Sequence, residues 1–244
     1  ATDKINNGNI PYIVSAFIGE LGLSIGEVKV DDKSNEITAI PDLLDLLEIE
    51  GAIITIDAIG TQEDIVNKIV GKGAHYVLPV KDNQRELRKQ IKSKFESFNS
   101  LYGNPNIIHD KTIEKDHGRI EEREYFLTYD ISSIKDKKKW KTVKAIAYTR
   151  VTRTLKDETI ITDNYYIIDF QIDMKTLQES IRDHWNIECG LHWRLDVILD
   201  EDHSRNREKY SIENLSILRK IVFNLASLDN RFGKVPLQRK LTRY

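Results

Sequence analysis

At 244 residues and 28.3 kDa the chain is long enough to bury a core without disulfide or metal staples. Apolar residues make up 40% and charged residues 31%, the mean hydropathy is −0.46, and no apolar run approaches the roughly 18 residues of a membrane span, so membrane-spanning and secreted classes drop out. The single cysteine, Cys189, closes no intramolecular disulfide and forms no CxxC pair, which points to a reducing, cytoplasmic setting and excludes cysteine-based zinc binding.

The net charge of −2 conceals segregation. Lys and Arg number 11 against 17 Asp and Glu in residues 1–110, 13 against 7 in 111–156, 3 against 12 in 157–203, and 10 against 3 in 204–244. Two basic blocks alternating with two acidic ones suit a polyanion partner held around a carboxylate-rich centre, and solvated surface charge is the plain alternative.

In chain order, residues 11–17 (PYIVSAF) and 23–30 (LSIGEVKV) are β-branched and joined through Gly19 and Gly22, which predicts a hairpin. Ser34-Asn35-Glu36 is a plausible helix entry, with Pro41 an alternative first turn, and Ile37, Ile40, Leu43, Leu44 and Leu47 recur at helical spacing. Residues 52–57 (AIITID) read as a strand buried on both faces and ending on a carboxylate. A helix over 63–72, a strand over 75–80 and a charged helix striped by Leu87, Ile91, Phe95 and Phe98 complete an α/β layered unit. Beyond Pro105, four strands are expected near 107–114, 120–129, 142–152 and 159–168, followed by helices over 175–199 and 208–228. The last is striped by Ile212, Leu215, Leu218, Ile221, Val222 and Leu225.

Two places can carry chemistry. Asp57 lies where a strand emerges, and ligands of open α/β sheets gather at the carboxyl ends of strands, so it is either a metal-binding carboxylate or a cap of the next helix. The second is the stretch 182–196, RDHWNIECGLHWRLD. If it is one helix, His184, Glu188 and His192 share a face; such a triple can ligate zinc, although the spacing is not that of HExxH. Trp185 and Trp193 read as packing side chains. Carboxylates on a central strand and on a late helix, with Lys or Arg nearby, are what two-metal phosphodiester chemistry requires.

The motifs VSAF at 14–17, DDKSNEITAIPDLLDLL at 31–47, GAIITIDAIGTQEDI at 51–65, YVLPVKDNQ at 76–84, DHGRIEER at 116–123, IRDHWNIECGLHWRLDV at 181–197, EDHSR at 201–205 and ENLSILRKI at 213–221 carry a resemblance. In this order, over nearly the whole chain, they resemble the DDE transposases of bacterial insertion sequences, closest to the H-repeat-associated branch. The resemblance implies an α/β, ribonuclease-H-like mixed sheet with flanking helices. Residues 1–105 would form the first part of this core, 106–170 a β-rich insertion, and 171–244 the helices that complete it. It also implies cutting and joining of double-stranded DNA at transposon ends with two Mg²⁺ or Mn²⁺ ions, Asp57 and Glu188 being the second and third acids of the triad. The other readings are a plain ribonuclease-H-like nuclease and an inactive, DNA-binding or regulatory remnant.

In the family the first acid sits in an Asp-Gly-Lys motif on the strand before VSAF. The chain begins at Ala1 without that motif, so the first core strand and first acid are expected to be missing and the chain alone nearly inert. Around the third acid the wider family carries a Tyr, an Arg and a Lys. Those places hold Ile181 beside Arg182, His184, and Leu195 beside Arg194, so His184 and Arg194 are the expected substitutes. Lys81, Asn83, His117, Arg119 and Arg123, together with Arg182, His184 and Arg194, are the expected DNA contacts. The basic blocks are expected to flank the site and bind DNA weakly, with strong salt sensitivity. The expected setting is bacterial and cytoplasmic, at the nucleoid and off the membrane, with a homodimer as the assembly to consider.

Overall fold

A computed structural model describes residues 13–30, 35–97, 101–116, 118–156, 158–201 and 209–229. The chain divides into two compact units, one made of residues 49–182 and the other of residues 1–48 and 183–244.

The 49–182 unit is built on a six-stranded mixed sheet. Strands β3 (Ile53–Ile54) and β4 (His75–Pro79) are parallel, joined through helix α2 (Glu63–Gly71). Helix α3 (Arg85–Glu96) follows, and then a meander of four long strands, β5 (Ile108–Asp116), β6 (Arg119–Thr128), β7 (Ala145–Leu155) and β8 (Glu158–Ile168). The strand order is β3-β4-β8-β7-β6-β5, so the expected β-rich segment extends the same sheet: β8 pairs antiparallel with β4 through Val77↔Ile168 and Pro79↔Tyr166. From Tyr166 back to Glu158, β8 runs eight residues past the end of β4. At about 3.3 Å per residue the ribbon overshoots by about 26 Å. It does so at the carboxyl ends of the parallel pair.

Pleat alternation sends one face of the sheet to helix α4 (Met174–Asn186), where Val77, Tyr125, Leu127, Ala147, Tyr166 and Ile168 pack with Leu177 and Ile181. The opposite face carries rings in register across four strands: His109, Phe126, Tyr148 and Tyr165 stack at 4.6–5.4 Å, and Phe95 of α3 meets Tyr148 at 5.6 Å. Buried Leu87, Ile91 and Phe95 account for the predicted stripe on α3. Asp169, which directly follows β8, is buried; its carboxylate accepts the Tyr76 amide at 2.6 Å and lies 3.0 Å from His75 Nδ1, closing the amino end of β4. The strand expected over 52–57 is corrected: only Ile53 and Ile54 pair, and residues 52–56 are half-buried, because β3 is an edge with one partner.

The other unit opens with the expected hairpin, β1 (Ile13–Ile18) antiparallel to β2 (Leu23–Lys29). Gly22 at φ +65° closes the turn with its N–H on the Ile18 carbonyl. Helix α1 (Glu36–Leu46) begins at Glu36, so Pro41 lies inside it and forfeits one bond to the Ile37 carbonyl. Gly26 lets the strand approach α1: a Cβ there would stand 3.3 Å from both Leu43 and Leu47. Helix α5 (Trp193–Leu199) and helix α6 (Lys209–Leu228) complete the unit, with Leu191, Leu195, Phe223 and Ala226 as its small core.

The stripe expected on the last helix is not the buried one. Leu218, Ile221, Val222 and Leu225 are exposed, while Ser216, Lys220, Phe223 and Ala226 are buried. Polar contacts decide the orientation. Asn224 clasps the Ser24 backbone by accepting its N–H at 2.9 Å and donating to its carbonyl at 2.7 Å, Lys220 and Ser216 both reach Glu27, and Lys29 pairs with Glu213 at 2.6 Å. Among the described residues no helix is long and apolar enough to cross a membrane.

Candidate functional site

Asp57 stands exposed at the carboxyl end of β3, as the strand leaves the sheet into a 3₁₀ turn, Ala58–Gly60. Its side chain makes no cap bond to that turn, and α2 is preceded by Gln62, so the capping alternative fails. The Asp57 carbonyl accepts the Gly60 N–H at 2.8 Å. Buried Thr61 donates its hydroxyl to the Pro79 carbonyl at 2.7 Å, tying this loop to the end of β4.

The KDNQ motif that follows β4 holds the same loop from the other side. Asn83 donates from Nδ2 to the Ala58 carbonyl, and Gln84 donates to the Thr61 carbonyl at 2.9 Å. Asn83, expected as a phosphate contact, therefore acts as a brace on the residue next to Asp57. Motif reading does not single out Thr61 and Gln84, although their places in AIGTQ and KDNQ, one loop after each parallel strand, are the available signal. Lys81 lies exposed between β4 and this brace, and no described carboxylate pairs with it. Asp57, Lys81 and Asn83 thus sit on two cross-linked loops at one end of the parallel pair.

The predicted arginines lie out along the meander. Glu121, with a side chain only 5% exposed, receives Arg123, Arg153 at 2.8 Å and Arg119 at 3.8 Å. Glu114 takes a second bond from Arg123 at 3.0 Å and one from Arg182. Burial pushes the Glu114 carboxyl up, but the hydrogen bonds from Arg182 and Arg123 outweigh it and hold the group below the ordinary carboxylate range. Arg119, Arg123 and Arg182 are brought together, but on protein carboxylates. His117 lies outside the described residues.

The Glu188 stretch belongs to the other unit. A π-helical segment, Ile187–His192, interrupts the single helix expected over 175–199. The wider turns of this segment depart from the 3.6-residue register that the expected single helix assumed. Half-buried Arg194 and buried Leu195 follow on α5. The packing role expected of the tryptophans is corrected: Trp185 is 59% and Trp193 54% exposed. The basic block 204–244 lies largely outside the described residues; within it, Lys220 is buried against Glu27 and Arg219 donates to the Leu199 carbonyl at 3.1 Å.

A six-stranded mixed sheet with flanking helices is consistent with the fold of a ribonuclease-H-like DDE domain. The sequence model of the transposase DDE domain matches residues 12–225, and the chain belongs to that family. It is 37% identical, over 99% of its length, to the H repeat-associated putative transposase YhhI and to the putative protein YbfL, both of Escherichia coli K12. It is 38% identical over 91% of its length to the putative transposase YncI of Escherichia coli O157:H7. The chain spans 64% of the first two relatives and 58% of the third.

Proposed function

We propose that this chain is the catalytic domain of an insertion-sequence transposase, which cleaves and joins double-stranded DNA at transposon ends, with Asp57 and Glu188 as two of its acids. The observation that carries the reading is Asp57 itself: exposed, not used as a cap, and set at the carboxyl ends of parallel strands by a brace built from Asn83, Gln84 and Thr61. As an oxygen donor facing solvent, Asp57 has the chemistry Mg²⁺ or Mn²⁺ selects. Among the described residues no three His, Cys, Asp or Glu side chains converge on one point, so Asp57 fits as one ligand rather than as part of a complete cage. Bound divalent ions would supply charge neutralisation at the attacked phosphate. The chain's own part is to hold Asp57 in one place and to offer Lys81, on the cross-linked loop after β4, as a phosphate-directed cation, since preorganised charge costs no rearrangement during reaction.

The test is Mn²⁺ binding followed by electron paramagnetic resonance, beside Mn²⁺-dependent nicking of a transposon-end duplex. Asp57→Asn and Glu188→Gln should each weaken Mn²⁺ binding, and should lower any nicking by about 10²-fold or more. Wild-type binding and nicking in both variants would overturn the assignment. Nicking of any duplex without joining would favour the plain nuclease, and DNA binding without nicking the regulatory remnant.

A further inference from the structure

Helix α3 and the loop 130–144 form one strongly basic surface. Residues 85–97 and 134–144 hold eleven Lys and Arg against three Asp and Glu, although α3 falls within the stretch 1–110 that is acidic on average. The loop is tied to the helix: Lys94 bonds Asp130, the Lys135 N–H donates to Gln90 Oε1 at 3.0 Å, and Lys139 donates to Gln84 Oε1 at 3.3 Å. Gln84 is also the residue that holds the Thr61 carbonyl, so the loop is anchored to the brace behind Asp57. Between helix and loop lies a cleft of about 300 Å³ lined by Glu86, Lys89, Gln90, Ser93, Ser133 and Lys135.

Arg88, Lys92 and Lys94 of this surface pair with Asp82, Glu96 and Asp130, and the pairing state of its other cations is what distinguishes it. On the meander, Lys111, Arg119, Arg123, Arg150 and Arg153 each meet a carboxylate within 4 Å. Arg85, Lys89, Lys135, Lys137, Lys138 and Lys141 are exposed, and none pairs with a described carboxylate. Cations already committed to protein carboxylates gain little from phosphate, because the existing pair must break first, whereas uncommitted ones release counterions from the duplex outright.

We infer that α3 and the loop 134–144 are the main contact for the duplex phosphate backbone, and that the meander arginines are not. This rests on the DNA reading above and specifies the surface that serves it. The contact is electrostatic and blind to sequence, since lysines on a helix and a loop offer point charges rather than base-edge readout.

The experiment measures binding of the whole chain to a labelled random-sequence duplex by fluorescence anisotropy between about 50 and 200 mM salt, where counterion release makes phosphate binding fall steeply. The variant set is Lys89→Gln, Lys135→Gln, Lys137→Gln and Lys138→Gln together. Its control carries Lys111→Gln, Lys115→Gln, Lys156→Gln and Lys175→Gln, which removes the same net charge elsewhere. The first set should weaken affinity about tenfold or more at low salt and flatten the log–log salt slope by about 2 to 4, near 0.9 for each phosphate no longer neutralised. The control should change the slope by less than about 1. Equal weakening in both sets, or none in the first, would overturn the surface assignment while leaving DNA binding intact. No binding by the wild-type chain would overturn the DNA reading as well, and tighter binding of polyglutamate than of duplex would make this an acidic-protein surface instead. Circular dichroism of both sets checks that the fold is kept.

Discussion

The meander and the α3 surface are both rich in cations and use them oppositely. Along β6 and β7, Arg119, Arg123 and Arg153 pair with Glu114 or Glu121, Arg150 pairs with Asp163, and Glu121 is nearly excluded from solvent. Along α3 and the loop behind it, Lys89, Lys135, Lys137, Lys138 and Lys141 stand in water and pair with no described acid. Local charge counts from sequence treat the two alike. Cross-strand register separates them: Glu121 lies opposite Arg153 on β7 and beside the arginines of its own strand, so pairing is imposed by the pleat. An exposed helix face, where neighbours stand three or four residues apart, imposes nothing comparable.

The strongest test of committed charge lies in the other unit. Lys220, with 9% of its side chain exposed, depends on Glu27, and Glu27→Ala should destabilise that unit by about 3–5 kcal/mol, because it strands a buried ammonium. Chemical denaturation measures this, and a loss below about 1 kcal/mol would show that Lys220 escapes to solvent. Next comes Glu121→Gln, which should cost about 2 kcal/mol and release three guanidinium groups. It should therefore tighten binding to random duplex, and unchanged affinity would mean that the arginines were already available to phosphate.

Asn83→Ala tests the neutral brace between the two regions. Removing one partly buried bond should cost about 1 kcal/mol. Mn²⁺ affinity at Asp57 should fall more than duplex affinity, since the substitution loosens the loop and removes no charge. The smallest effect concerns the tether of the lysine loop. Hydrogen bonds from Lys94 and Ser132 pull Asp130 down to about 2, from an ordinary 3.8. A depressed carboxylate stabilises the fold above its ordinary value, and that contribution is lost as pH falls through the folded value. Thermal melts of wild type and Asp130→Asn should thus differ slightly at about pH 5 and converge as pH drops from about 4 to about 2. A constant difference across that window would remove Asp130 from the tether.

Much of the fold is legible in residue patterns. Alternation marks the hairpin 13–29 and all four meander strands, and the stripe Leu87, Ile91 and Phe95 marks α3. Where the patterns mislead, the reasons are physical. AIITID looks doubly buried because its residues are β-branched, but burial depends on a second neighbouring strand, which composition does not encode. On α6 the apolar residues outnumber the places against β2, and Asn224, Lys220 and Ser216 settle the rotation through bonds to Ser24 and Glu27, some 200 residues away in sequence. At the site, Asp57 is readable from its place at a strand end. The role of Asn83 is not, because an amide facing a carbonyl across two loops has no periodic signature.

The π segment at 187–192 also bears on how this protein tolerates change in length. A π turn is a helix that has absorbed an extra residue without breaking, and Gly190 within it has Phe17 of the hairpin near the place of its missing Cβ. Removing that one residue would let the segment relax into ordinary α-helix. Six residues of π-helix, at about 4.4 per turn, sweep nearly the same angle as five of α-helix, so Arg194 and the rest of α5 would keep their direction relative to His184 to within about 10–20°. A one-codon deletion here would therefore leave the face of α5 aimed as it is, whereas the same deletion within the regular turns of α4 would swing everything beyond it by about 100°.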